Sequence, residues 1–369
     1  MIKTNTKSSL LGKNSDIRTV VVVTIGFVVA IVVAQLVMGL VSEGQLSYPS
    51  FISSVNILNI LMQTAGVGIM AMGMCTIMLS GDIDLSVGML VSLVAIFIAK
   101  GIRDWGIPLP TALILAILIA VGLESLMGLV ISRFKVESFI ITLGGSIAFR
   151  GIALLMCNSQ EVTLTGQLDF FKTNLIGGAT NTQGMSLTLP IYVIIFFAIF
   201  VIFWAVLKYT RFGRRVYAVG SNAQAAYLSG VNVKNVRLLS YALNGLCVGI
   251  AGILLLSRVN VGIISIGQSL EIDVIASVVI GGVALSGGKG NAVGVFIGVL
   301  LMGAISNAMN ILRVQSEWQY FVKGVIIIVA VTGGAISEIV NARRALRLQE
   351  MEARALNGQK ELQDTTTSQ

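Results

Sequence analysis

The chain has 369 residues, of which 55% are hydrophobic and 11% charged, with a formal net charge of +8 and no histidine. Soluble proteins carry about 25% charged residues, so water is not the main solvent of this chain. The missing imidazole excludes histidine-based catalysis and metal binding. The scattered Cys75, Cys157 and Cys247 indicate neither a disulfide framework nor a zinc knuckle.

Taken in order, residues 1–18 carry Lys3, Lys7, Lys13 and Arg18 ahead of an apolar run from Thr19 to about Val41. That run is too long for the core of a signal peptide and reads as a retained first span. Further spans are expected at 57–79, 86–100, 111–131, 139–157, 189–207, 238–257, 272–286, 291–312 and 319–340. A run of about 20 apolar residues, rising about 1.5 Å each, crosses a hydrocarbon core about 30 Å thick while satisfying its own backbone. The third and eighth runs are short, and both adjoin Gly-rich polar segments, GDIDLSVG at 81–88 and GGVALSGGKGN at 281–291. Broken or half-depth helices are expected there. The polar tail at 341–369 reads as a helix start fraying into disorder.

This predicts an all-α, polytopic membrane protein of about ten transmembrane helices, with one transmembrane domain at 19–340 between two cytoplasmic ends. With the N-terminus inside, inner segments hold 18 Lys/Arg and outer segments 6, with Arg150 left within the fifth span. Positive residues resist translocation, so both termini are expected in the cytoplasm. The net positive charge is read as this sorting and not as a nucleic-acid site. The pairs Gly245/Gly249 and Gly294/Gly298 read as packing within one bundle, with a dimer seam as the alternative.

The longest polar interruption, 208–237, holds six Lys/Arg and no acidic residue around an Ala/Gly-rich helical middle. It reads as a docking surface for a soluble partner. The segment SGGKGN at 286–291 is no P-loop, since Lys289 is followed by Gly290 and position 283 is Val. No other ATP signature is visible, so any ATP is expected to be hydrolysed, with its Mg²⁺, by a partner; the chain itself is expected to hold no cofactor or metal.

Charge inside a membrane costs roughly 2.5–3.5 kcal/mol on insertion scales, so each instance needs a reason. Glu124 in the fourth span and Arg150 in the fifth are expected to pair across antiparallel neighbours. Asp82 and Asp84 are read as water-exposed caps before the third span, and Glu271 and Asp273 as acidic residues suited to the N-terminus of the eighth. Gln63, Thr64, Asn244 and Asn307 are candidates for a translocation path, with interhelical hydrogen bonding as the equal alternative.

Four ordered segments, GDIDLSVG at 81–88, FIITLGGSIAFRGIALL at 139–155, TRFGRRVYAVGSNAQAAYLSGVNVKNVRLLSYALNG at 210–245 and EIDVIASVVIGGVALSGGKG at 271–290, resemble the ribose/galactose-type sugar permeases of bacterial ABC importers. The resemblance extends from about residue 50 to about 340. It departs at Asp82, where the family usually has Gly, at Glu137 and Ser138 in place of a Pro-containing turn, and near Glu124 and Met127. It implies a cytoplasmic-membrane permease subunit working as a pair, with itself or a sister chain, on cytoplasmic ABC ATPase subunits. By the same resemblance, an extracytoplasmic sugar-binding protein would deliver the ligand. It also implies that the loop after the sixth span carries the coupling helix, with matching positions Gly220, Asn222, Ala225, Ala226, Ser229 and Gly230. Arg211, Arg214 and Arg215 would anchor its base to anionic lipid headgroups. Nucleosides and branched-chain amino acids stand as alternative ligands, and an ion-coupled secondary transporter as the rival class.

Overall fold

The computed structural model describes residues 51–180 and 186–333, with scattered positions between 21 and 33. The expected span at 19–41 is described only at helical positions scattered between 21 and 33, and the end of the one at 319–340 and the tail at 341–369 lie outside the described residues. Residues up to Lys323 form one compact unit and those from Gly324 a second; the elements below belong to the first.

Helix α1, Ser54–Leu79, starts where Ser53 accepts a hydrogen bond from the Asn56 amide at 3.3 Å. It is followed by α2, Val87–Arg103, α3, Leu109–Phe134, and α4, Ser138–Cys157. Pro108 and Pro110 flank the first turn of α3, where a missing amide costs nothing. After a polar segment come α5, Ile191–Tyr209, two short helices α6, Arg211–Ser221, and α7, Ala223–Leu228, then α8, Val233–Val259, α9, Leu270–Ile280, and α10, Ala292–Ile311. A further helix begins at residue 316.

Among the described residues, six helices are long and apolar enough to cross a membrane: α1, α3, α4, α5, α8 and α10. Helix α2 has 17 residues and α9 only 11, so α9 extends about 16 Å and cannot cross alone. The short runs expected from the sequence are short helices, although the eighth ends at Ile280, six residues before the expected boundary, because Gly281 and Gly282 turn the chain. The expectation of a purely helical fold needs one correction. The segment between α4 and α5, together with the residues after α8, forms two small antiparallel sheets, β1 (Val162–Thr163) with β4 (Val261–Gly262) and β2 (Asn174–Thr180) with β3 (Ser186–Pro190). Its Thr- and Gly-rich sequence lacks a helical apolar period and closes backbone hydrogen bonds instead as one hairpin, β2 with β3, and one long-range pair, β1 with β4.

Helices α1, α2 and α8 are the inner elements, whereas α3, α4 and α5 expose long apolar faces, with Ile147 at 69% and Leu155 at 81% exposure. Lipid tails give such faces no reason to bury, so the helices associate through close packing at small residues. Both GxxxG pairs pack inside the bundle: Gly245 and Gly249 against Ala120, Val121 and Ile117 of α3, and Gly294 and Gly298 against Gly281 and Ser277 of α9. These contacts run α8 antiparallel to α3 and α10 antiparallel to α9. One end of the bundle, the basic end, thus gathers the C-termini of α1, α3, α5 and α9 with the N-termini of α4, α8 and α10.

Candidate functional site: a coupling surface above a buried polar centre

The polar interruption folds as a chain of capped turns. The Thr210 hydroxyl accepts from the Gly213 amide at 3.2 Å to start α6, and the Asn222 side chain accepts from the Ala225 amide at 2.9 Å to start α7. Gly230 closes α7 at φ +83°, donating its amide to the Tyr227 carbonyl, and the Asn232 side chain accepts from the Asn235 amide to start α8. One side chain per turn satisfies amides that a helix start leaves free.

The six positions expected to couple to a partner divide in two. Asn222, Ala225, Ser229 and Gly230 are exposed, with the Ser229 hydroxyl turned back to the Ala225 carbonyl at 2.9 Å. Ala226 is 5% exposed and packs into the chain's own core, so a bulky charge there unseats α7 before it meets any partner. Gly220 also faces inward. A Cβ there would collide with the Leu79 carbonyl and lie 2.5 Å from the Gly288 amide, two groups that are hydrogen-bonded to each other at 3.0 Å. The end of α6, the end of α1 and the 281–291 turn therefore cross at one joint, to which the Tyr217 hydroxyl adds a bond to the Gly290 carbonyl at 2.9 Å.

Sequence reasoning missed Tyr227 and Leu228. They are 69% and 77% exposed on α7. Two large side chains amid an otherwise polar, small-residue stretch were the available signal. Arg211, Arg214 and Arg215 of α6 line a shallow concavity with Ala218 and Val231.

Beneath this surface lies a polar centre with no access to solvent. Asp84, Ser86, Glu124 and Asn244 are each 0% exposed. One oxygen of Asp84 accepts from the Ser86 amide (2.8 Å) and hydroxyl (2.7 Å), the other from the Asn244 side-chain amide (2.8 Å). The Ser86 hydroxyl is also 3.3 Å from one carboxyl oxygen of Glu124, whose other oxygen has no hydrogen-bond partner. The loop is tied to α4 through the Ile83 and Leu85 amides, which donate to Ser138 and Thr142, each at 3.1 Å.

Asp82 and Asp84 are thus not water-exposed caps. Asp82 is 5% exposed and pairs with Arg237 at 3.3 Å. Burial pushes its carboxyl up to about 6, Arg237 opposes that, and Glu137 adds to it. Nor do Glu124 and Arg150 pair. Helix α4 packs mainly along α2 and turns Arg150 to the exposed side, while Glu124 faces α8 and the Asp84 loop.

Of the four path candidates, Asn244 belongs to this centre, and the Thr64 hydroxyl bonds the Ile60 carbonyl of its own helix at 2.7 Å. Asn307 is 3% exposed with its side-chain oxygen unpartnered, and Gln63 is half-buried. The structure does not gather these four into one site.

The family described as the permease component of the branched-chain amino acid transport system matches residues 56–331. The chain belongs to this permease family. Its relatives include the ribose import permease protein RbsC of Bacillus subtilis, 41% identical over 283 residues, covering 77% of this chain and 85% of the relative. The xylose transport system permease protein XylH of Haemophilus influenzae is 35% identical, covering 76% of this chain and 89% of the relative. A probable ABC transporter permease protein of Escherichia coli, YphD, is 38% identical over 309 residues, covering 83% and 88%. No solved structure matches the permease.

The permease is a multi-pass subunit of a bacterial transporter and not an enzyme. Tyr227 and Leu228 are exposed on α7, Gly220 packs on the Leu79 carbonyl and the Gly288 amide, and the Asp84 centre is buried within the bundle. Among the described residues no group of His, Cys, Asp and Glu is placed to hold a metal ion.

Proposed function

We propose that the permease is the membrane subunit of an ATP-driven importer of a monosaccharide or sugar derivative, handed over by an extracytoplasmic binding protein. The observation that carries this reading is similarity over three quarters of the chain to permeases named for ribose and xylose import. The basic end, with Arg133, Lys135, Lys208, Arg211, Arg214, Arg215, Arg237 and Lys289, faces the cytoplasm by the positive-inside rule. Both termini lie on that side in a bundle of about ten helices, with α2 and α9 contributing partial crossings. Two permeases, identical or sister chains, sit on two cytoplasmic ABC ATPase subunits, which bind ATP and Mg²⁺.

In this reading α7 is the coupling helix. Tyr227 and Leu228 fill a pocket of the ATPase, and the three arginines rim the contact or meet anionic headgroups. When ATP draws the ATPases together, α7 moves as a lever. The Gly220 joint passes that movement to the end of α1 and to the turn before α10, and the bundle exchanges inward for outward exposure.

Aromatic anchors at interface centres cost about 2 kcal/mol or more when truncated, or about thirtyfold in Kd. The double variant Tyr227→Ala, Leu228→Ala is thus expected to lose at least tenfold in affinity for the ATPase while inserting and unfolding like the parent. Titration of ATPase onto detergent-solubilised permease reads this; unchanged affinity rules out α7 as the anchor. The family description favours a second ligand class, branched-chain amino acids. Competition of uptake by ribose and xylose against leucine separates the two.

A further inference from the structure

A second group of charged side chains lies inside the bundle and takes no part in the joint or the Asp84 centre. After β4 the chain runs back along α2. The Ser92 hydroxyl donates to the Ile264 carbonyl at 2.7 Å and accepts from the Gly267 amide at 3.0 Å, while Gly267 packs directly on Gly88. Gly88 is two residues from Ser86, which touches Glu124, and Glu124 stands ten residues, about 15 Å, from the basic end of α3. The start of α9 is therefore at that depth, and its 11 residues descend about 16 Å to Gly281 at the basic end. With a hydrocarbon core about 30 Å thick, Glu271 and Asp273 stand near its middle.

There Asp273 forms an ion pair with Lys323 at 2.8 Å, the two side chains remaining 21% and 18% exposed. Gln268, in the turn that leads into α9 five residues before Asp273, is exposed, and one oxygen of Glu271, lodged against Gly88, has no hydrogen-bond partner. Three charges and an open amide at this depth are incompatible with a lipid-facing surface. Intramembrane ionisable groups face a bundle interior or a water-filled passage, and partial exposure of the ion pair fits the passage. A pair serving stability alone is commonly matched by apolar residues of similar volume.

We propose that Gln268, Asp273 and Lys323, backed by Glu271, form the station where the translocated ligand pauses at half depth. This rests on the sugar-import reading and adds the ligand contacts to it. Adjacent hydroxyls of an uncharged sugar both donate and accept. A carboxylate, an ammonium and an amide within one patch supply the complementary set, each hydroxyl exchanging one water for one protein partner. Two carboxylates against one ammonium leave the patch with no excess positive charge, which disfavours anionic ligands such as phosphorylated sugars.

The experiment uses the full complex of permease, ATPase and binding protein in proteoliposomes with labelled ribose and xylose. In the exchange variant Asp273→Lys, Lys323→Asp, uptake is expected to stay at least tenfold below the parent, while ATP hydrolysis stimulated by the loaded binding protein remains within twofold. A merely structural pair tolerates the exchange, so restored uptake overturns the proposal. In a second arm Gln268→Cys is treated with a water-soluble maleimide, the native Cys75, Cys157 and Cys247 being buried. Labelling that differs between the nucleotide-free and vanadate-trapped states supports the station, and no labelling in either state overturns it. If the parent complex itself imports neither sugar, the sugar reading fails, and the labelling arm still decides whether this patch lines the passage.

Discussion

Replacing Asp84 with alanine is expected to produce the largest loss of stability of any single substitution considered for this permease. The carboxylate accepts from the Ser86 amide, the Ser86 hydroxyl and the Asn244 side chain, all in a centre with no solvent access. Alanine strands three donors. Each buried unpaired donor costs about 1–3 kcal/mol, and partial repartnering, as by Ser86 with Glu124, lowers the sum, so a loss of about 3–5 kcal/mol is expected. Asp82 is the internal control. Its partner Arg237 keeps a side chain 25% exposed and can turn to water, so Asp82→Asn is expected to cost under about 1 kcal/mol. Thermal unfolding in detergent compares the two; equal effects would mean that the Asp84 network does not hold α2, α3 and α8 together.

The second large effect is expected in coupling. Gly220→Val places side-chain atoms where the Leu79 carbonyl and the Gly288 amide meet, and it fits only if that 3.0 Å bond breaks and α1 parts from the turn before α10. Tyr227 and Leu228 stay where they are, so the ATPase still docks and hydrolyses ATP. Uptake is expected to fall at least tenfold. Gly230→Ala makes the contrast. Gly230 has φ +83° and open space around its Cα, so alanine meets only left-handed strain of about 1 kcal/mol and uptake stays within twofold. Equal uptake in the two variants, measured at matched ATPase occupancy, would remove the joint from the mechanism.

Much of this was legible in the sequence because it follows from composition along one dimension. Long apolar runs became the six long helices, the polar break at 208–237 became α6 and α7, and the Gly-flanked runs became the short α2 and α9. The partner of Glu124 was not legible. Its sequence neighbours in the next span include Arg150, but which helix packs beside α3 is decided by the Gly128, Gly245 and Gly249 contacts that bring α8 against it. Asp82 and Asp84 read as exposed because a GDID turn between spans has the composition of a surface cap; only the fold covers it. Likewise Gly220 and Ala226 match the coupling motif, yet their small size serves packing within the chain, while the large exposed side chains of α7 are Tyr227 and Leu228. The functional depth of Glu271, Asp273 and Lys323 depends on the backbone returning along α2, which no local pattern encodes.

The central claim is that this membrane bundle has no energy source of its own and moves ligand by force received at α7. Uptake of labelled ribose or xylose into proteoliposomes tests it, with the permease reconstituted alone or together with its ATPase and binding protein. The account predicts ATP-dependent accumulation in the full assembly and none by the permease alone under a proton or sodium gradient. Gradient-driven accumulation by the permease alone would contradict it.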